Sequence, residues 1–348
     1  MFVNAVYYPN WHVYRQKPPS SLPLDNTSHV FYAFASVGPD GTVALSDPWA
    51  DAQMEVDGQR GCLRAFVALK QQYRHLKLVL SVGGANSSQH FAAVAADAST
   101  RTRFGQSAHA LVVEYGLDGI DVLEVDWEHP ANAEQGRHYV QLLRAIRESL
   151  PAPDFLLTSA LPAGQWALQH IHLGHAQTYL DFVNVMTYDF SGPWVDVAGH
   201  HAQLFAPAHP HNDAARISGQ TAVEYMRGHG VPAEKLVLGV PSYGRSFVGA
   251  SGVGQPYSGH AGTDGTFDYC DLPRPGAQEF MDTTVVAASC VGGDGGFVSY
   301  DNADSVRLKA AFAVEYSLAG LFYWTGTGDQ KGSGSLVRAG FARLHEEL

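Results

Sequence analysis

The chain contains the stretch Asp118-Gly119-Ile120-Asp121-Val122-Leu123-Glu124-Val125-Asp126-Trp127-Glu128, in which acidic residues alternate with large apolar ones. On an extended strand, side chains two apart share a face, so Glu124, Asp126 and Glu128 are predicted to point the same way. A solvated edge strand would account for the charges. It would not account for Ile120, Val122, Val125 and Trp127, which require apolar surroundings. A strand buried on both faces is the habit of parallel sheets covered by helices. Three carboxylates gathered there cannot all ionise cheaply, so at least one pKa is expected to rise towards neutrality, which makes a protonated general acid.

Similar short apolar runs recur on either side: Val3 to Tyr8, His29 to Phe34, Leu76 to Val82, Phe155 to Leu161, Phe182 to Tyr188, Leu236 to Val240 and Gly320 to Trp324. With Gly119 to Trp127 they predict eight parallel strands. Between them, residues 63–73, 101–115, 136–150, 221–229 and 303–317 carry apolar side chains at helical spacing. The expected fold is therefore α/β, a (β/α)8 TIM barrel. From Phe247 to about Tyr300 the helical periodicity gives way to Gly, Ser, Thr, Asp and aromatics. This predicts a small α+β insertion between strands seven and eight, with the barrel formed by residues 1–246 and 301–348 and the lobe by 247–300. The histidine-rich stretch Gly199 to Asp213 reads as a long solvated loop; no acidic or cysteine residue is spaced to turn its histidines into a metal site.

At 348 residues, a single barrel with insertions fits the length. A net charge of -12 with only 22 Lys and Arg argues against a nucleic-acid partner. No apolar run approaches the roughly 18 residues of a membrane span. Cys62, Cys270 and Cys290 are too few and too scattered for a metal knuckle, and their odd number leaves at least one thiol unpaired within the chain. Met1 runs straight into the first apolar strand, with no basic leader or cleavage site. A monomer is expected.

In such barrels the active groups lie at the C-terminal ends of the strands. Met186-Thr187-Tyr188-Asp189 closes strand six, placing a phenol and a further carboxylate near the acidic strand. Tyr8, Trp11, Phe34, Trp194, Tyr243 and Trp324 fall at or just beyond other strand ends. Any one of them could be core, but a ring of aromatics around a barrel mouth suits stacking on the apolar faces of pyranose rings. An uncharged, extended glycan is the expected ligand.

Taken together, these segments resemble family 18 glycoside hydrolases, especially the fungal chitinases with an inserted α+β lobe. The resemblance runs through Tyr7-Tyr8-Pro9-Asn10-Trp11, Tyr32-Ala33-Phe34-Ala35, Ser81-Val82-Gly83-Gly84, Met186-Thr187-Tyr188-Asp189-Phe190, Pro241-Ser242-Tyr243-Gly244-Arg245-Ser246-Phe247, Tyr300-Asp301-Asn302 and the strand ending in Trp324. It implies substrate-assisted hydrolysis, with Glu128 protonating the glycosidic oxygen, Asp126 orienting the substrate's acetamido group and Tyr188 hydrogen-bonding its carbonyl. Trp324 would floor the central subsite, which Met186, Asp189 and Arg245 would line. Chitin or chito-oligosaccharide as partner, no metal or cofactor, and an extracellular location are implied as well.

The sequence departs from the family in two places. Its acidic strand usually reads Asp-Gly-Ile-Asp-x-Asp-Trp-Glu, and here three extra residues, Val122-Leu123-Glu124, intervene. Either the excess is absorbed upstream, so that Glu124 takes the place of the inner Asp among the catalytic residues, or Asp118 to Asp121 stay in place and everything beyond is shifted. A displacement of about 1 Å can cost on the order of 100-fold in rate, so hydrolysis is expected to suffer more than binding. The second departure is Ala85, where the family commonly has Trp. Asn86 then lies at the cleft as a substrate-binding residue, and its sequon is expected to be unmodified.

Overall fold

The structure, a computed structural model, describes residues 2–84, 88–123 and 130–346. Eight parallel strands close on themselves: β1 (Val3–Pro9), β2 (His29–Val37), β3 (Lys77–Val82), β4 (Gly119–Leu123), β5 (Leu156–Pro162), β6 (Phe182–Met186), β7 (Leu236–Pro241) and, last in the chain, β13 (Gly320–Trp324). Around the ring they run β1-β13-β7-β6-β5-β4-β3-β2, and β2 pairs back with β1. The expected (β/α)8 barrel is what the chain forms.

Helices α1 (Cys62–Gln72), α2 (Ala98–Tyr115), α3 (Ala133–Ser149), α4 (Gly219–Gly228), α5 (Ala303–Glu315) and α6 (Leu336–Leu344) cover the outside. Their starts are set by side-chain caps. Asp97 accepts from the Ser99 and Thr100 amides, and Asn132 from those of Glu134 and Gln135. Ser218 with Thr221, and Asn302 with Ser305, close reciprocal boxes that satisfy otherwise unpaired amides. Along α3 the buried residues are Tyr139, Val140, Leu142, Leu143 and Ile146, a stripe at helical spacing turned towards the strands.

Two apolar layers result. Val6, Tyr8, Val30 and Tyr32 point outward into the large core between strands and helices. Val3, Ala5, Tyr7, Phe31, Ala33, Val79 and Phe322 point inward and fill the barrel. Adjacent residues belong to opposite layers because strand side chains alternate.

The insertion between β7 and β13 is a five-stranded antiparallel sheet in the order β9-β8-β12-β11-β10, formed by β8 (Tyr243–Phe247), β9 (Thr266–Asp268), β10 (Ala277–Asp282), β11 (Ala287–Gly292) and β12 (Gly296–Tyr300). This sheet begins at Tyr243, ahead of the expected boundary at Phe247, because Tyr243 to Arg245 already pair with Thr266 to Asp268. Tyr243 and Arg245 therefore reach the barrel mouth from the lobe.

The stretch from Gly199 is not the solvated loop that its composition suggested. His201 is buried, its amide donates to Ser299 Oγ at 3.1 Å, and the carbonyl of Ala202 accepts from Lys309 Nζ at 2.6 Å. The lobe packs onto the first part of this stretch, and of its histidines only the later His209 and His211 are exposed. Lys309 is itself buried and paired with Asp301 at 2.6 Å.

Candidate active site

A cavity of about 1070 Å³ occupies the C-terminal end of the barrel. Trp11, Phe34, Met186, Tyr188, Asp189, Trp194, Tyr243 and Trp324 all line it. The ordered sequence of elements explains the convergence, since each residue follows a parallel strand or lies in its C-terminal half, and all such ends face one way.

One side of the mouth is an aromatic wall. The Trp11 and Phe34 rings lie 6.0 Å apart, Phe34 stacks on Trp324 at 5.8 Å, and Tyr7 meets Trp324 at 5.3 Å. Phe34 joins this wall because the β2–β3 register slips between Ala33 and Ala35, turning a side chain that alternation alone would send outward. Gly84 leaves room for it, since a Cβ there would come within 2.5 Å of the Phe34 ring.

The facing side is built around Asp189. Its Oδ1 accepts from Tyr243 Oη at 2.7 Å and Arg245 Nε at 2.6 Å, with His201 Nδ1 at 3.5 Å. Burial opposes ionisation here, but the bonds from His201 and Arg245 and the guanidinium charge win and hold Asp189 well below the usual carboxylate range. Its backbone is left-handed, with φ of 60°. That conformation is uncommon outside glycine, and the surrounding contacts hold it in place. Arg245 stands behind the cavity wall with its guanidinium 4.7 Å from the Trp194 ring. Burial pushes the Tyr188 phenol up, reinforced by Asp189 and Asp121, so it stays a neutral hydrogen-bond donor.

Between the two sides, at the barrel's centre, sits Asp121. Its carboxylate accepts from Tyr7 Oη at 2.7 Å, Ser81 Oγ at 2.8 Å and Thr158 Oγ1 at 2.6 Å. Ser81, Asp121 and Thr158 are register partners across β3, β4 and β5, so the three form one row across the barrel. Burial raises the Asp121 pKa and the three hydroxyls only partly offset it. Asn184 Nδ2 donates to Tyr7 Oη at 3.1 Å and extends the row to β6.

Gly119 to Val122 pair with Val79 to Val82, and Gly119 to Leu123 with Leu156 to Ala160, without a register shift. The described pairing of β4 carries no bulge, and its buried carboxylate is Asp121. Glu124, Asp126 and Glu128, expected as catalytic, lie outside the described residues, as do Ala85 and Asn86.

Tyr8 requires a correction. It was expected at the sugar site, but it belongs to the outer layer, where its hydroxyl donates to the Lys17 carbonyl at 2.9 Å and its ring packs against Phe66. Its neighbour Tyr7 faces the cavity instead. A run buried on both faces carries no polar alternation to say which tyrosine points inward. Thr158, Asn184, His201 and Trp166 were likewise not singled out from the sequence, and Asp121 and Ser81 were named only as parts of longer motifs. The three cysteines are all free thiols, and among the described residues no cluster of His, Cys, Asp or Glu is arranged to hold a metal. No helix among them is long and apolar enough to cross a membrane.

Comparison with known proteins agrees with this geometry. The sequence profile of the glycosyl hydrolases family 18 matches residues 3–329. Endochitinase 1 of Metarhizium robertsii is 37% identical over 362 aligned positions, covering 97% of this chain and 84% of the fungal protein. Chitinase 1 of Aphanocladium album is 36% identical with the same coverage. Among solved structures, a Bacillus thuringiensis chitinase superposes with a TM-score of 0.88 at 27% identity, covering 98% of this chain and 69% of that one. The Ostrinia furnacalis group IV chitinase superposes at 0.86, also at 27% identity, covering 99% and 100%. With a matching profile over most of its length, relatives at 36–37% identity and a closed barrel, the chain belongs to glycoside hydrolase family 18.

Proposed function

We propose that the barrel mouth binds chito-oligosaccharides and that hydrolysis is weak or lost, because Val122-Leu123-Glu124 displaces the acid-bearing end of β4. The binding half rests on the cavity, where an aromatic wall faces a preset Asp189–Arg245–Tyr243 cluster, an arrangement suited to an uncharged sugar chain with amide and hydroxyl groups. The catalytic half rests on the seating of Asp121. Tyr7, Ser81 and Thr158 pin it in the strand, so Asp126 and Glu128 follow it by five and seven residues, where the family pattern places them at two and four. An odd insertion reverses side-chain facing along a strand. In the proposed chemistry Glu128 is the acid, Asp126 orients the acetamido group and Tyr188 donates to its carbonyl.

A second reading is an active chitinase in which the chain beyond β4 loops out and returns Asp126 and Glu128 to the centre. What favours it is that Asp189 is held by Tyr243 and Arg245 and that the Tyr188 ring packs against Tyr243 and Phe322, an order that turnover would require. Incubation with chitohexaose separates the two: little or no shortening is expected, and release of shorter oligomers at ordinary chitinase rates would sink the proposal. Deleting Val122 to Glu124 restores Asp-Gly-Ile-Asp-Val-Asp-Trp-Glu and is expected to gain hydrolysis. If a folded deletion variant gains none, the insertion is not the obstacle.

A further inference from the structure

His201 is fully buried and contributes nothing to the cavity surface, yet it meets the turn that carries Asp189 from several directions. Its carbonyl accepts from the Phe190 amide at 3.0 Å. Its Nδ1 stands 3.4 Å from the Asp189 amide nitrogen and 3.5 Å from Asp189 Oδ1. Its ring lies 5.2 Å from that of Tyr243, whose phenol donates to the same carboxylate. Asp189 needs such a hold, because a left-handed backbone at a residue with a side chain is strained and persists only where its surroundings over-determine it. Tyr243 and Arg245 fix the far end of the side chain, at Oδ1, and His201 reaches the backbone of the turn as well.

His201 is in turn held from outside the barrel mouth. Its amide donates to Ser299 Oγ of β12 at 3.1 Å, and the next carbonyl, of Ala202, accepts from Lys309 Nζ of α5 at 2.6 Å. Lys309 is paired at 2.6 Å with Asp301, whose other oxygen accepts from Ser305 Oγ at 2.6 Å. A buried ammonium is tolerated only where it is paired and hydrogen-bonded, and this one is aimed at the carbonyl beside His201. The lobe and α5 thus meet at the His201–Ala202 peptide. Burial lowers the His201 pKa, so the ring is neutral. Its Nε2 meets no hydrogen-bond partner among the described residues, which leaves Nδ1 as the ring atom that serves Asp189.

We infer that His201 is a positioning residue: through Nδ1, held in place by the lobe and α5, it fixes the left-handed Asp189 turn and with it the Asp189–Tyr243–Arg245 face of the cavity. The inference rests on the glycan-binding reading above and names a residue on which that binding depends without touching the ligand.

The test is calorimetry with chitohexaose on His201→Asn, His201→Gln, His201→Leu and the parent protein, all in a Glu128→Gln background so that no ligand is cleaved, with thermal unfolding alongside. An asparagine amide reaches the place of Nδ1, where its oxygen or nitrogen serves either Asp189 group; a glutamine amide reaches the place of Nε2 instead, and leucine offers neither. His201→Gln and His201→Leu are expected to weaken binding about tenfold and His201→Asn to stay within about threefold of the parent, although the asparagine and glutamine variants unfold at similar temperatures. Unchanged affinity in the glutamine and leucine variants overturns the inference. So does an asparagine variant that loses as much as the glutamine one, since the contact at Nδ1 would then not matter. If the leucine variant does not fold, asparagine against glutamine decides alone. If the parent protein does not bind chitohexaose, the glycan-binding reading itself has failed, a result visible before any variant is made, and the inference falls with it.

Discussion

Asp121 and Asp189 stand at the same end of one barrel, yet their surroundings push their carboxyls in opposite directions. Asp121 is enclosed by neutral hydroxyls from Tyr7, Ser81 and Thr158, and burial raises its pKa. Asp189 is also desolvated, but it has a guanidinium and an imidazole against it and is held well below the usual range. Three neutral donors soften the cost of burying a charge, whereas a cation at 2.6 Å reverses it. Asp121 thus belongs to the structure of the barrel, joining β1, β3, β4 and β5 through one group. Asp189 belongs to the cavity surface, where it accepts from Tyr243 and Arg245. Loss of Asp121 should therefore cost stability, and disturbance around Asp189 should cost affinity.

The largest expected effect follows from emptying the hydroxyl cage. Asp121→Ala leaves three buried hydroxyls without their acceptor and a void at the barrel's centre. It is expected to lose about 3–5 kcal/mol in denaturant unfolding, with Asp121→Asn recovering part of it. A loss below about 1 kcal/mol would show that the cage is incidental, and the contrast with Asp189 would fall with it.

Asp51 extends the first class and offers a pH window. It is buried and accepts from Tyr32 Oη at 2.5 Å, from Asn10 Nδ2 at 2.9 Å and from the Asp47 amide at 3.1 Å. Burial outweighs these bonds and pushes its carboxyl up to about 6. A folded pKa above the unfolded one means that the group's stabilising contribution is complete below about pH 4 and is lost as the pH rises through 6. The stability of the wild type relative to Asp51→Asn should therefore be greatest near pH 4 and shrink by up to about 3 kcal/mol by pH 7. Unfolding curves at the two pH values decide it; a difference that grows with pH would put Asp51 in the class of Asp189.

Much of this was legible in the sequence, and the exceptions share a cause. The strand Gly320–Trp324 is found where its apolar run predicted, and the five helical patterns became α1 to α5 with ends moved by a few residues. Local periodicity carries that information. It could not choose between Tyr7 and Tyr8, because both faces of β1 are buried. Nor could it mark Asp121 as the carboxylate held by Ser81 and Thr158, since that depends on their lying level with it on neighbouring strands. His201 looked like a loop residue because Ser299 of the lobe, which meets its amide, and Lys309 of α5, which meets the next carbonyl, are about a hundred residues further on. Trp166 was passed over because it lies beyond a strand end, on a helix of four residues that shows no periodicity of its own.

The smallest effect tests the cavity side of the contrast without emptying it. Arg245→Lys keeps the positive charge near Asp189 but removes the planar guanidinium that both donates through Nε at 2.6 Å and covers the Trp194 ring at 4.7 Å. Lysine is a compact, strongly hydrated point charge and cannot make both contacts at once. If Asp189 needs only a cation, the variant binds like wild type. If the wall works by geometry, losing the ring contact and the oriented hydrogen bond should weaken chitohexaose binding by about three- to tenfold, equivalent to roughly 1 kcal/mol. Thermal unfolding should hardly move, because the retained charge still offsets Asp189. A fall in melting temperature comparable to that of Asp121→Ala, with affinity intact, would mean that the Asp189 cluster is structural and that the two carboxylates differ in charge but not in use.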